Sequence, residues 1–279
     1  PVGHLMSVKN SDELRSAHEA VLQDVVAFGL RIQQSRPIYE GLVAIRDGEE
    51  WNTLDEAQRR CVELKIRAAE HAGVGLEGDA KERFNAIAKE MSQISSDFSN
   101  HVLDATKAFE LIIEDKADTE GWPNSLRQGV AQSYAQANEG TEPDPENGPW
   151  RITLDFPSFY PFMQHHRVSA HREQVYRAYV TRASSGDLDN SGLIAKILKL
   201  RKEQAGLLGF DSFAAWSLAA KMAPSVDAVA QMTEELGSAA KTHMEKDYEA
   251  LVALAKEQGE TETLAHWDMA FWSERLREQ

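Results

Sequence analysis

Histidine is the residue type that would announce hydrolytic metal chemistry in this chain, and there are nine. A zinc peptidase sets two His four residues apart on a helix, with Glu beside the first. That spacing puts both imidazoles on one face and leaves the carboxylate as base for a metal-bound water. His18 is followed by Glu19, but Leu22 stands where the second His belongs. His171 has Val175 four residues on, and "HMEKD" at His243 fails as well. No run completes the motif. His165, His166 and His171 form a local cluster that could take a metal adventitiously; the competing reading is polar surface or helix-end histidines.

Other chemistries find less. "GVGLEG" (Gly73 to Gly78) has no strand before it and no Lys-Ser/Thr pair, so it is not a phosphate loop. There is no Gly-x-Ser-x-Gly elbow. The single cysteine, Cys61, falls on the apolar side of a predicted helix and reads as a small buried hydrophobe. One cysteine makes no internal disulfide, which points to a reducing compartment. The carboxylates are abundant, but none is set opposite another in an apolar setting. No catalytic, cofactor-binding or metal residue is assigned.

The elements that would position any site are mostly helical. Leu14, Ala17, Val21, Val25, Phe28 and Ile32 step by three or four. Pro37 fits the first turn of a new helix. Thr53 with Glu56, and Asp79 with Glu82, read as capping boxes. The first opens a helix running to Gly73 with Leu54, Ala57, Cys61, Leu64 and Ala68 on its inner side. The second opens a long seam from Phe84 to Phe109. Phe109–Ile113 and the alternating Trp150–Phe156 read as short strands. A helix starts near Pro123, and Glu139–Pro149 is a loop. Gly209 is placed as a C-terminal cap; Ser212 and Ser225 begin further helices, the second reaching about Lys256. From Trp267 a last helix carries Phe271 and Trp272.

At 279 residues and 42% hydrophobic content, a sizeable core is expected. A net charge of -15 argues against nucleic acid and anionic membranes, which need dense Lys and Arg. No apolar run is long enough to span a bilayer.

Five stretches, in order, carry a resemblance: "PVGHLMSVKNSDELR" from Pro1, "FSNHVLDATKAFELII" from Phe98, "VYRAYVTRASSG" from Val175, "LLGFDSFAAWSLAAKMA" from Leu207 and "WDMAFWSERLR" from Trp267. Together they resemble the oligopeptidase A branch of the thimet oligopeptidase family of zinc metallopeptidases. The resemblance implies a mainly α fold: an elongated multi-helix array with one small strand pair, forming one half of a two-lobed, channel-type peptidase. It implies a helical N-terminal domain over 1–113, a connecting segment over 114–168, and the start of the peptidase-family domain over 169–279, truncated before the zinc site. It further implies a cytosolic or organellar hydrolase of short unfolded peptides. Its zinc would be held by a His-Glu-x-x-His helix and a downstream Glu outside this chain.

On this reading the chain is a fragment, cut at both ends, inactive alone. Its partners are short peptides and the remaining C-terminal half of the same polypeptide. Pro1 in place of Met is taken as a hint of the first cut, and the helix from Trp267 is expected to lack its packing partners. The alternative is a stand-alone helical peptide-binding or scaffold module. Burial of Trp267, Phe271 and Trp272 within the chain would favour that alternative.

Overall fold

The computed structural model describes residues 2–260 and 263–279, so Pro1 lies outside the described residues. In chain order the helices are α1 (Val2–Val8), α2 (Asp12–Gln33), α3 (Arg36–Asp47), α4 (Glu56–His71), α5 (Gly78–Lys107), α6 (Asn124–Ala137), α7 (Phe156–His165), α8 (Ser169–Val180), α9 (Ser191–Leu207), α10 (Phe213–Leu218), α11 (Val226–Glu257) and α12 (Met269–Arg277). Two strands, β1 (Leu111–Ile113) and β2 (Trp150–Ile152), pair antiparallel. The fold is mainly α with one strand pair, as the sequence predicts. The chain divides into two compact units, residues 1–99 with 191–233, and residues 100–190 with 234–279.

In the first unit the seam of α5 is its core. Ile87 and Ile94 are buried against Leu200 of α9, with Met91, Leu193 and Ile197 around them. Arg83 forks onto Glu203 at 2.6 and 2.7 Å, fixing the register of α5 on α9. Gln34 closes α2 and is buried; its amide donates to the Ala72 carbonyl (2.8 Å) and Asn85 Oδ1 (2.7 Å). Gly209 has φ +81, and Phe210 N donates to the Ala205 carbonyl at 3.0 Å, ending α9 as predicted. Ser212 and Ser225 cap α10 and α11 by accepting from Ala215 N and Ala228 N.

Several expectations change here. The capping box of α4 is built by Asp55 and Gln58, not Thr53 and Glu56. Asp55 Oδ1 accepts Gln58 N at 2.8 Å and Gln58 Oε1 accepts Asp55 N at 3.0 Å. Thr53 instead donates to the Glu50 carbonyl at 2.7 Å. α5 starts at Gly78, so Asp79 sits inside its first turn, where its charge complements the helix terminus without capping it. Cys61 is exposed, because Ile66, not the predicted inner face, is the buried residue of α4. The apolar stripe of α2 is helical but uncovered: Val21, Val25, Phe28 and Ile32 are all exposed.

The second unit is organised on the sheet. Leu111 stands opposite Ile152, and Ile113 opposite Trp150. Trp150, Ile152 and Leu154 point into a core with Trp122, Val130, Phe162 and Val175. Alternation stops there, because Phe156 is exposed as the first residue of α7. Helices α7 and α8 were not legible in the sequence. Pro157 and Pro161 argue against a helix over 156–165, yet Pro157 falls in the first turn and α7 continues through Pro161 in its interior. In α8 a core-facing position is taken by Arg172, which spoils the apolar period.

Candidate functional site

The three clustered histidines lie where α7 gives way to α8. His165 ends α7, His166 is its C-cap, and His171 is in the first turn of α8. His166 is fully buried and stacks on Phe162 with ring centroids 4.3 Å apart; Trp122 tilts against it at 5.6 Å. Its Nε2 shares a hydrogen bond with His171 Nδ1 at 3.0 Å. Burial, then the charges that His171 and Arg172 can carry, push the His166 pKa down to about 3. The imidazole is therefore neutral in the core at ordinary pH.

His165 is drawn elsewhere. Its Nδ1 accepts from Arg275 Nη2 of α12 at 3.1 Å. Burial first, then Arg275, lowers its pKa. The helix-end reading thus fits His165 and His166, and the three imidazoles do not converge on one point.

Among the described residues, one group has the spacing to hold a metal: His165, Glu274 and Glu278, whose ligand atoms lie within 4.8 Å of one another. Those atoms are already engaged. Glu274 accepts from Gln164 Nε2 (3.1 Å) and Arg277 Nε (3.0 Å), and Glu278 accepts from Arg275 Nε (2.8 Å). The Arg277 bond holds the Glu274 carboxyl below the usual range, and Arg275 does the same for Glu278. Two guanidiniums already supply the positive charge a cation would bring. This set also lacks the paired His of a zinc helix, so a catalytic zinc does not fit the residues present.

The network that sequence reasoning missed is beside it. Arg172 is 1% exposed. Its Nη1 donates to the carbonyls of His166 (2.7 Å) and Arg167 (2.9 Å), its Nε to that of Trp267 (3.2 Å), and its Nη2 to the Asp268 carboxylate. Asp268 also accepts from Ser169 Oγ (2.8 Å) and Ala265 N (3.0 Å). The guanidinium lies 4.4 Å from the Phe271 ring centre. Burial lowers the Arg172 pKa, and Asp268 opposes that. Nε and Nη2 hold Trp267 and Asp268 to α8 while Nη1 holds the preceding turn at His166 and Arg167, so the network is structural. Arg172 and Asp268 are 96 positions apart, which leaves no local signal to find.

The aromatic seam of α12 is satisfied within the chain. Phe271 and Trp272 are buried against Leu251, Leu254 and Ala255 of α11, and Trp267 packs beside Tyr176. The expectation that this helix would lack its partners is therefore corrected. What stays open is the neighbouring turn of α11. A cavity of 850 Å³ is lined there by Met244, Tyr248, Leu251, Leu264, Trp267 and Met269.

Two family profiles match the chain. Neurolysin/thimet oligopeptidase, N-terminal domain, covers residues 1–81, and peptidase family M3 covers residues 162–279. The chain belongs to the thimet oligopeptidase family, peptidase family M3. A probable cytosolic oligopeptidase A of Arabidopsis thaliana is 48% identical over 279 residues, 99% of this chain and 40% of that protein. An organellar oligopeptidase A, chloroplastic/mitochondrial, of the same plant is 48% identical over 99% of the chain and 35% of its own length. Oligopeptidase A of Escherichia coli is 37% identical over the full chain and 40% of its own length. This M3 chain thus spans about two fifths of the length of the relatives it matches.

Proposed function

We propose that this chain is part of a zinc metallo-oligopeptidase that hydrolyses short peptides, and that it serves as wall and scaffold of the substrate channel. The observation that carries the proposal is identity of 37–48% to oligopeptidases A along the whole chain, without a His-Glu-x-x-His run anywhere in it. When bound, zinc would lower the pKa of a water and polarise the scissile carbonyl. Its ligands would come from polypeptide that these relatives have beyond the matched stretch. The residues here would contribute rigidity: the Arg172–Asp268 network and the sheet core keep α7, α8 and α12 fixed. A channel admits an unfolded peptide and rejects a folded protein, which would first have to unfold at a cost of about 5–15 kcal/mol. A cytosolic or organellar location is proposed from the names of the plant relatives.

The test is cleavage of a quenched fluorescent peptide of about ten residues. The chain alone, with zinc supplied, should give no turnover. The chain co-expressed with the remaining part of the Arabidopsis cytosolic relative should give turnover that a chelator abolishes. Chelator-sensitive cleavage by the chain alone would overturn the proposal.

One observation favours a second reading. Burial of Phe271 and Trp272 is what a stand-alone helical peptide-binding or scaffold module would show. Against it stands the uncovered apolar surface of α2 and α11, which an independent module would hide. A monomeric chain that binds short peptides at micromolar affinity without the relative's remaining part would favour the scaffold.

A further inference from the structure

Helix α11 is exposed without interruption from Gln231 to Ala250, although its sequence is amphipathic. Within the second unit Leu236, Ala240, Met244 and Tyr248 recur every four residues and fall on one stripe. Leu236 is 63% exposed and Met244 61%. The stripe continues directly into the buried Leu251 and Leu254, so the same face is half covered by α12 and half bare. The 850 Å³ cavity lies at this junction, with Leu264, Trp267 and Met269 as its far wall. Glu245 and Asp247 also line it, as do His243 and His266. A bare apolar stripe ending in an apolar cleft is a helix-in-groove surface.

We infer that this groove receives an apolar helix with basic flanks, belonging to the part of the M3 polypeptide that the relatives carry outside the matched stretch. The inference rests on the proposed function. Three observations select that occupant. The larger part of each relative lies outside the match, so a partner of the required size exists. The groove falls wholly inside residues 162–279, which match peptidase family M3, so the family's own continuation is the polypeptide expected beside it. The two carboxylates in the lining and the net charge of -15 favour a partner segment with Lys or Arg beside its apolar anchors.

The test separates binding from activity. The chain and the remaining part of the Arabidopsis cytosolic relative are co-expressed with different tags. Complex recovery and peptide cleavage are then read separately, for the unchanged chain and for Met244→Glu and Leu236→Glu. Both residues are exposed, so neither change should move the melting temperature of the chain alone. The expected result is a 1:1 complex whose recovery falls at least tenfold with Met244→Glu and threefold or more with Leu236→Glu. A control, Glu234→Lys, lies outside the cavity lining and should leave recovery unchanged. A complex that forms equally well with both variants would overturn the groove assignment even if it cleaves peptide. A complex sensitive to Met244→Glu that cleaves nothing would uphold the groove and count against the peptidase reading. Self-association of the chain through the same residues, with no binding of the relative's part, would replace the inferred occupant with a second copy.

Discussion

Two buried residues dominate the behaviour expected of single substitutions. Arg172 and Asp268 form a buried pair, with side chains 2% and 12% exposed, in which each charge is compensated by the other. Removing one partner strands the other, which typically costs about 3–5 kcal/mol. Arg172→Met should lower stability by about that amount in urea unfolding, and Arg172→Met with Asp268→Asn should cost less than the single change. His166 gives a pH dependence of defined sign. Its folded pKa is depressed to about 3 from 6.5, so the unfolded chain binds the extra proton across that window. The stability that this neutral imidazole contributes is complete above pH 6.5 and is lost as pH falls toward 3. Between pH 6.5 and 4 the loss should be on the order of 3 kcal/mol. Because other groups titrate too, the quantity to measure is the difference between wild type and His166→Phe, by urea unfolding at several pH values. Parallel pH profiles would show that His166 takes up its proton in the folded state as readily as in the unfolded one.

At the scale of elements, helix starts are where local chemistry decides most. The box of Asp55 and Gln58 satisfies two backbone donors of the α4 terminus. Asp55→Ala should destabilise the first unit by about 1 kcal/mol, while Thr53→Ala, which removes one exposed turn contact, should cost less than half of that. Thermal melts of the two variants distinguish this box from the one expected two residues earlier. The same contrast marks what the sequence makes legible. Caps at Ser212 and Ser225, the glycine stop at Gly209 and the seam of α5 are local or periodic signals, and each is where it was expected. Helix α7 was hidden by two prolines, and α8 by an arginine at a core position. Cys61 and the stripe of α2 lie on helices that form where they were expected, but the covered face is a different one: Ile66 turns inward in α4, and Leu22, Val26 and Leu30 are half-buried in α2, because periodicity finds an apolar stripe without saying which side is covered. The histidines show the same limit. Their closeness in sequence suggested one cluster, whereas the C-cap turn at His166 points it into the sheet core and leaves His165 to Arg275. The candidate metal group depends on α12 meeting α7, a contact between residues 110 apart.

For the whole molecule, uncovered apolar surface is set against net charge. Val25 and Phe28 on α2 are 62% and 56% exposed, while the chain carries a charge of -15. Mutual repulsion of acidic surfaces keeps such molecules apart at low ionic strength, and salt removes that protection: the screening length falls from ~10 Å at 0.1 M to ~3 Å at 1 M. Apolar contact between bare helix faces does not weaken with sodium chloride in the same way. The chain should therefore be monomeric in dilute buffer and self-associate as sodium chloride is raised toward 1 M, read by sedimentation velocity. Val25→Glu with Phe28→Glu should suppress that association. The double change should alter stability by no more than about 0.5 kcal/mol per site, since both side chains are mostly exposed and Phe28 meets the Arg31 guanidinium only at the surface of its own helix. Unchanged association in the double variant would assign the contact to another face, with the stripe of α11 as the next to test. A melting temperature lowered by many degrees would mean instead that the face of α2 is covered in the folded chain.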